Sequence, residues 1–385
     1  MKSIATILVL LSLLGGTGYY LSLRLYQGLA SFFPGIPFWP VAAVVFSLIV
    51  LLVLGFARAL LPFPTTVKRV LGVVSGYGMG IGLYLLMFSL AAELLLLVPR
   101  LLKLPLTTHR LFSGVVALGV LVLSLATCVW GFCHARTICH VSYDISLEGR
   151  RNISDLKVVL ISDLHLGAIG SEGRLEKIVA EINAVQPDVV CIAGDFFDTD
   201  FSSIQNPDAA LRTLQTLRST YGVYACLGNH DGGQTHEQMV AFLKAANIQL
   251  LDDAYALIDD RLVLVGRLDA SAIGGYGDRT RKPLSDFFTR EDETLPVIVM
   301  DHNPAHVEEY TREADLILSG HTHKGQIFPG NLVTGRMYTV DYGFYQKDAA
   351  SPQVVVTSGV GTWGMPMRLG SDCEIVTLRF SRTDS

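Results

Sequence analysis

Charged residues are scarce in this chain. They make up 17% of its 385 residues, whereas hydrophobic residues make up 50%; soluble domains average about 25% charged residues. This composition disfavours both a disordered chain and a wholly soluble protein. Acidic residues are almost missing from the first 135 positions, where Glu93 is accompanied by eight lysines and arginines. The rest of the chain holds 34 acidic and 22 basic residues. We therefore expect a membrane-embedded part, residues 1–135, followed by an acidic, water-soluble domain, residues 136–385.

The soluble part also lacks an excess of positive charge and a cysteine framework. Proteins that bind nucleic acids neutralise phosphates with a basic face, so an acidic domain makes a nucleic-acid partner unexpected. The six cysteines show no spacing typical of disulfide scaffolds or zinc sites. Cys191 and Cys226 end apolar runs, where buried free thiols are the common outcome.

Four apolar stretches dominate the first part, at residues 4–23, 41–61, 70–98 and 111–132. Each has the length of about 20 residues that a bilayer core requires. We predict four transmembrane helices and a multi-pass protein of the inner or plasma membrane. A cleaved signal peptide is the alternative for the first stretch, although Gly15-Gly16-Thr17 is a poor cleavage site.

Basic residues in the short loops indicate an orientation. The 58–69 loop carries Arg58, Lys68 and Arg69, and the side that it shares with both termini holds the larger number of basic residues. The positive-inside rule then places both termini, and with them the soluble domain, in the cytoplasm. Glu93 is a candidate functional residue because it is ionisable within a span; the alternative is that it reaches water near the end of that span.

The soluble part alternates strands with helices. The apolar runs 157–162, 188–193 and 222–227 predict buried strands, and helical periodicity at 172–184, 207–219 and 234–246 separates and follows them. Such βαβ units imply parallel strands flanked by helices. Five further strands are predicted at 261–266, 297–301, 315–319, 353–358 and 374–380. This strand-rich second half makes two packed sheets the expected architecture of an α/β domain.

Metal-binding side chains stand where these strands end. They occur in Asp-Leu-His, Gly-Asp-Phe-Phe-Asp, Gly-Asn-His-Asp, Asp-His-Asn-Pro and Gly-His-Thr-His segments. Because ligands bind at the carboxyl ends of strands in open α/β sheets, we expect the five loops to converge on one point. The candidate residues are Asp163, His165, Asp195, Asp198, Asn229, His230, Asp231, His302, His321 and His323.

Oxygen and nitrogen atoms without thiolate suit Mn²⁺, Fe or Zn²⁺. Seven of these residues are candidate ligands, which is more than one tetrahedral ion can bind. We therefore expect two ions that share a carboxylate. Such a pair activates water for attack on phosphorus, which predicts hydrolysis of a phosphate ester or anhydride. Each segment alone is weak evidence, since an isolated residue such as His302 is more often a hydrogen-bonded core or surface histidine. The prediction depends on the whole set.

In order and spacing, these segments resemble the signature of the calcineurin-like metallophosphoesterases. The resemblance runs over residues 140–380, and residues 162–167 and 320–327 are similar to the membrane-associated bacterial branch. It implies two mixed β-sheets packed face to face with helices outside. With the four helices at the front, the expected fold is a transmembrane region plus an α/β metallophosphoesterase domain.

The resemblance also implies roles for individual residues. One metal would be held by Asp163, His165 and His323. The other would be held by Asn229, His302 and His321, with Asp195 bridging the two. His230 is similar to the family's histidine that stabilises phosphoryl charge or protonates the departing oxygen, with a structural role as the alternative; Asp198 and Asp231 would orient neighbouring groups. Lys324 departs from the usual glycine, and Arg368 in the closing segment either reaches the site or forms an ion pair within the fold.

We therefore expect a membrane-anchored, dimetal-dependent hydrolase that cleaves a phosphodiester or pyrophosphate bond. The alternatives are a phosphomonoesterase of the same fold and a membrane scaffold that binds metal without catalysis. The expected partners are the lipid bilayer and a phosphate-ester or pyrophosphate substrate. An anchor in the membrane is compatible with a lipid-linked substrate.

Overall fold

The computed structural model describes residues 2–58, 61–105, 109, 111–147, 149–169, 171–311 and 313–381; of residues 2–5, 7 and 171 it describes the backbone alone. Residues 59 and 60, within the 58–69 loop and the second predicted span, therefore lie outside the described part. The chain divides into two compact units, Met1–Phe132 and Cys133–Ser385. That the units are independent domains with a boundary at residue 135 stays a prediction.

Four long helices make up the described part of the first unit. Their bounds are Lys2–Phe32 for α1, Phe38–Phe56 for α2, Thr65–Leu101 for α3 and Phe112–His134 for α4. All four are long and apolar enough to cross a membrane. Helix α1 continues beyond the predicted end at residue 23, because Arg24 and Gln27 are good helix formers. Helix α2 ends before the predicted residue 61, since Pro62 and Pro64 follow and disfavour helical backbone before them.

The second unit contains two six-stranded mixed sheets. The first has the order β1, β12, β2, β3, β4, β5 and the second the order β10, β11, β9, β8, β7, β6. Strands β2 to β5 are parallel, and so are β7, β8, β9 and β11. The strands are β1 Ile138–Ser146, β2 Lys157–Ile161, β3 Val189–Ala193, β4 Val223–Cys226, β5 Ile248–Leu250, β6 Ala254–Ile258, β7 Leu262–Gly266, β8 Val297–Met300, β9 Leu316–Ser319, β10 Gly343–Tyr345, β11 Gln353–Val356 and β12 Cys373–Ser381.

Three apolar layers stabilise the sheets, and alternation along the strands creates them. Val158 and Leu160 of β2 belong to the layer between the two sheets, where they join Leu264 and Ile298. Val159 and its neighbours on the opposite face belong to a layer covered by helices. A third layer lies on the outer face of the second sheet. The predicted fold of two packed mixed sheets flanked by helices is confirmed. The described helices of this unit are α5 Leu175–Val185, α6 Pro207–Leu214, α7 His236–Ala245 and α8 Gly330–Met337.

Candidate metal centre

The predicted ligands lie in loops at the carboxyl ends of strands from both sheets. Asp163 and His165 follow β2, Asp195 follows β3 and Asn229 follows β4. These three strands are parallel neighbours, so their ends share one edge. The remaining ligands, His302, His321 and His323, follow β8 and β9 of the second sheet. The fold therefore brings loops from two sheets to one place.

One group of ligand atoms belongs to Asp163, His165 and His323. The Nε2 atoms of the two histidines are 3.1 Å apart. Asp163 Oδ1 lies 3.3 Å from His323 Nε2 and 3.8 Å from His165 Nε2. All three side chains are buried. The loops thus place one carboxylate and two imidazoles around a single point.

A second group joins Asn229, His302 and His321. His302 Nε2 lies 3.2 Å from Asn229 Oδ1 and 3.2 Å from His321 Nδ1. Asn229 Oδ1 lies 2.8 Å from His321 Nδ1. These atoms have the chemical character and the closeness of a second set of metal ligands.

Asp195 connects the two groups. Its Oδ2 atom lies 3.2 Å from His302 Nε2 and 3.7 Å from His165 Nε2. Its other oxygen, Oδ1, accepts a hydrogen bond from the backbone N–H of His230 at 2.8 Å. One oxygen of Asp195 therefore faces both groups, while the other anchors the side chain.

The donor atoms fit a divalent cation. His302 Nδ1 lies 2.8 Å from the carbonyl oxygen of Ala193, and because a carbonyl only accepts, Nδ1 must carry hydrogen. In the neutral ring, Nε2 of His302 then carries no hydrogen, and its lone pair faces the oxygens of Asp195 and Asn229. Such electron-pair donors repel one another unless a proton or a cation lies between them. Imidazole nitrogens with carboxylate and amide oxygens are ligands that Mn²⁺, Fe and Zn²⁺ accept.

The electrostatics favour the same interpretation. Burial alone would raise the pKa of Asp163 and of Asp195, but the surrounding imidazoles hold the pKa of each carboxyl well below its usual range. Burial lowers the pKa of His323 well below its usual range, and Arg368 adds to this effect against the opposing charge of Asp163. Against the effect of burial, the carboxylates in turn raise the pKa of His302 well above its usual range and also raise that of His165, so protons on these rings supply the positive charge that a cation would supply. The ionised carboxylates and the neutral ring of His323 already have the protonation states that a metal ion requires of its ligands.

Five of the seven predicted ligands have left-handed backbone. Side chains other than glycine rarely adopt a positive φ, and each such residue costs on the order of 1–3 kcal/mol. The strain lies within the segments that carry the ligands and turns the chain sharply at the ends of the strands. The φ values are 55° at Asp163, 47° at His165, 51° at Asp195, 71° at His321 and 50° at His323.

Two glycines allow the loops to approach each other. A Cβ atom at Gly194, which has a φ of 79°, would lie 2.6 Å from His302 Nδ1. A Cβ atom at Gly228 would collide with the backbone nitrogen and Oδ1 of Asp195. The Gly-Asp and Gly-Asn-His-Asp segments therefore contain glycine because larger residues would displace the ligands.

The three residues predicted to assist catalysis have different surroundings. His230 Nδ1 is hydrogen-bonded to Thr199 Oγ1 at 2.7 Å. A ring nitrogen of His230 and an oxygen of Asp198 lie within 4.8 Å of each other and of a nitrogen of His165. Asp231 is fully buried and accepts hydrogen bonds from the backbone N–H groups of Phe197, at 2.9 Å, and Gly228, at 2.8 Å. Burial raises the pKa of Asp231 to about 7. Asp231 thus joins two ligand-bearing loops, whereas His230 and Asp198 face the first group.

Arg368 binds backbone carbonyls. It is fully buried and donates hydrogen bonds to the carbonyl oxygens of His323, Ser358 and Gly361 at 3.0, 2.7 and 2.8 Å. Its Nη2 also lies 3.1 Å from His323 Nδ1. Of the two alternatives, the contacts match the one in which Arg368 reaches the site, where it clamps the loop that carries His323. Lys324 places its Nζ 3.9 Å from the ring centroid of Tyr342, which is a cation–π contact.

Two residues near the centre have no counterpart in the sequence-based prediction. Asp269 is buried, its Oδ2 has no hydrogen-bond partner among the described residues, and its charge acts on His302 and His321. Trp363 is 40% exposed and lies 5.6 Å from the His230 ring, measured between centroids. The position of Asp269 just after β7 could have identified it as a site residue. No feature of the sequence points to Trp363.

Comparisons with known proteins agree with this geometry. The calcineurin-like phosphoesterase family model matches residues 156–325, which include every predicted ligand. An uncharacterized metallophosphoesterase of Aquifex aeolicus is 31% identical over 240 residues, which cover 62% of this chain and 90% of that protein. One from Helicobacter pylori is 32% identical over 231 residues, 58% of this chain and 60% of its own.

A bovine transmembrane protein with metallophosphoesterase domain is 33% identical over 244 residues, 59% of this chain and 53% of its own. The matched region thus spans between half and two thirds of the bovine and Helicobacter proteins. The match to the family model falls within the second unit, where five loops unite two sets of ligands. This chain belongs to the calcineurin-like phosphoesterase family.

Proposed function

We propose that this protein is a membrane-anchored phosphoesterase that uses two divalent cations, Mn, Fe or Zn, to hydrolyse a phosphodiester or pyrophosphate bond. The observation that carries the proposal is the position of Asp195 Oδ2, 3.7 Å from a nitrogen of one ligand group and 3.2 Å from a nitrogen of the other. A carboxylate shared in this way is what a pair of cations about 3.5–4 Å apart requires.

Each ligand group would hold one cation. Cations bound there would lower the pKa of water and offset the charge of phosphoryl oxygens. Asp195 would hold both cations through the oxygen that faces both groups, because its other oxygen is engaged by the backbone of His230. The first cation would be held by Asp163, His165 and His323, and the second by Asn229, His302 and His321.

His230 would donate a proton to the departing oxygen or stabilise the charge of the substrate. Thr199 Oγ1 engages Nδ1 of this ring, which leaves Nε2 as the nitrogen that can meet a substrate oxygen. Nε2 would donate a hydrogen bond to a phosphoryl oxygen or protonate the departing oxygen. The exposed ring of Trp363 beside His230 offers a flat apolar surface against which part of the substrate would pack.

The anchor is proposed from the four apolar helices of the first unit, and a lipid-linked phosphodiester or pyrophosphate suits an anchored enzyme. We propose a cytoplasmic position for the catalytic unit, in the inner or plasma membrane, on the balance of basic residues in the loops. Protease digestion of sealed, oriented vesicles tests this orientation: cleavage of the catalytic unit only from the cytoplasmic face supports it.

The enzyme is tested with the full chain in detergent. Purified protein loaded with Mn²⁺ is offered a chromogenic phosphodiester, a phosphomonoester and a nucleotide-lipid pyrophosphate, and bound metal is counted by elemental analysis. Asp195→Asn should lose both bound metal and turnover, whereas Asp208→Asn, at an exposed position of α6, should keep both. Two bound ions per chain without hydrolysis of any substrate would favour the scaffold; hydrolysis of the monoester alone would favour a phosphomonoesterase.

A further inference from the structure

The first unit contains a cavity of about 320 Å³. All four helices contribute to its wall, mostly with aliphatic side chains such as Leu48, Leu52, Leu85 and Val120. Its volume falls in the range of pockets that bind small molecules. A wall of this composition accepts a hydrocarbon chain.

The cavity is polar at one end. Arg24, Gln27, Glu93 and Arg100 line it there, and an adjoining hollow is lined by Arg24, Gln27, Arg100 and Ser113. Arg24 and Arg100 lie toward the ends of α1 and α3, and Ser113 lies in the first turn of α4. These helix ends belong to one side of the unit, where a bilayer would present its headgroups.

Positive charge is in excess at this end. Glu93 pairs with Arg24 NH1 at 3.1 Å and with Arg100 NH1 at 2.5 Å, so two guanidinium groups share one carboxylate. Arg24 Nε is buried and has no hydrogen-bond partner in the part of the chain that the structure describes. Buried donors without partners are rare, and the free N–H of Arg24 is therefore a place where an anionic oxygen would bind.

We propose that this cavity binds an anionic lipid, with one hydrocarbon chain in the aliphatic space and a phosphate held by Arg24 and Arg100. The apolar wall and the cationic end match the two parts of such a molecule. Guanidinium groups bind phosphate oxygens through paired, charge-assisted hydrogen bonds, and an ionisable cluster within a span is costly unless it serves a function. The inference is independent of the metal centre in the second unit.

Binding is tested on the full chain in lipid nanodiscs, with chelator present so that no hydrolysis occurs. Native mass spectrometry measures the retention of dioleoyl phosphatidic acid and of dioleoylglycerol, which has the same chains without the phosphate. We expect one phosphatidic acid per chain, bound at least about tenfold more tightly than dioleoylglycerol. Equal retention of the two lipids would show a hydrocarbon crevice without headgroup recognition and would overturn the proposal.

Two substitutions should shift this affinity in opposite directions. Arg24→Gln removes the donor and should weaken binding of phosphatidic acid at least about tenfold. Glu93→Gln removes the carboxylate that competes for both arginines and should strengthen binding. Lys68→Gln removes a charge outside the cavity and should leave the affinity for phosphatidic acid unchanged. If Glu93→Gln weakens binding as much as Arg24→Gln while both variants keep their helical circular dichroism, the ion pair merely holds the helices together and the proposal fails.

Discussion

Arg368 offers the sharpest test of how the metal centre is held. Its guanidinium donates hydrogen bonds to four carbonyl oxygens, those of His323, Ser358, Gly359 and Gly361, and is itself 0% exposed. Replacing Arg368 by methionine fills a similar space with an apolar chain that donates no hydrogen bond. The Ser358 carbonyl then loses its donor, whereas the His323 carbonyl keeps the backbone N–H of Gln326 at 2.9 Å and the Gly361 carbonyl keeps the Cys373 thiol at 3.4 Å.

The magnitude follows from the Ser358 carbonyl. A buried acceptor without a partner costs about 1–3 kcal/mol, so Arg368→Met should destabilise the catalytic unit by about 1–3 kcal/mol. Single domains are stable by only about 5–15 kcal/mol. At about 2 °C per kcal/mol for a unit of this size, the melting temperature should fall by about 2–6 °C.

Tryptophan fluorescence measures this loss in the right part of the chain. Of the three tryptophans, Trp363 alone lies in the second unit, so thermal unfolding is recorded in a background with Trp39→Phe and Trp130→Phe. Arg379→Met, at an exposed position of β12, is the matched control and should stay within about 0.5 kcal/mol of the parent. A melting temperature for Arg368→Met equal to that of the control would refute the proposed clamp.

Three further predictions concern single positions. His230→Gln should lower kcat by about 10²–10⁴-fold with an unchanged metal content by elemental analysis; loss of metal instead would make His230 a ligand. Gly228→Ala should push Asp195 aside and lower metal affinity, measured by titration, whereas Gly173→Ala, whose Cβ would meet no atom within 4 Å, should not; equal affinities would contradict the steric argument. Burial raises the pKa of the Cys191 thiol from 9.0 to about 12, so the stability from this neutral thiol is present below about pH 9 and lost toward pH 12. Maleimide labelling at pH 8, followed by mass spectrometry, should therefore spare buried Cys191 until the unit is unfolded in denaturant; equal labelling of Cys191 in the folded and the unfolded protein would contradict its burial.

The strands that could be predicted from sequence are those inside the sheets. Strands β3 and β9 are buried on both faces, and such strands appear as continuous apolar runs. The four strands without a sequence-based prediction, β1, β5, β6 and β10, are the four edges of the two sheets. β1 and β6 alternate between half-buried and exposed positions, and β5 and β10 have three residues each. Short or half-exposed strands gain their pairing from distant neighbours, which local patterns do not reveal.

The residues of the site likewise divide into those that local sequence predicts and those that only the fold reveals. Ligands that directly follow buried strands, such as Asp163 and Asp195, were predictable because strand ends share an edge. Asp269 also follows a buried strand, β7. The sequence does not predict it as a site residue, because its segment contains no histidine. The sequence left two alternatives open for Arg368, because most of its partners are backbone carbonyls that only folding brings together. Which residues bind the metal stays a prediction until ions are seen on them.

The left-handed turns beneath the ligands limit how this centre can be transplanted. A designer who grafts the two aspartates and three histidines onto ordinary strands would retain their identities and lose their directions, because regular backbone aims side chains differently. The recipient scaffold must reproduce the bends themselves, including the glycines that let adjacent loops touch. What such an engineer must copy is the path of the main chain.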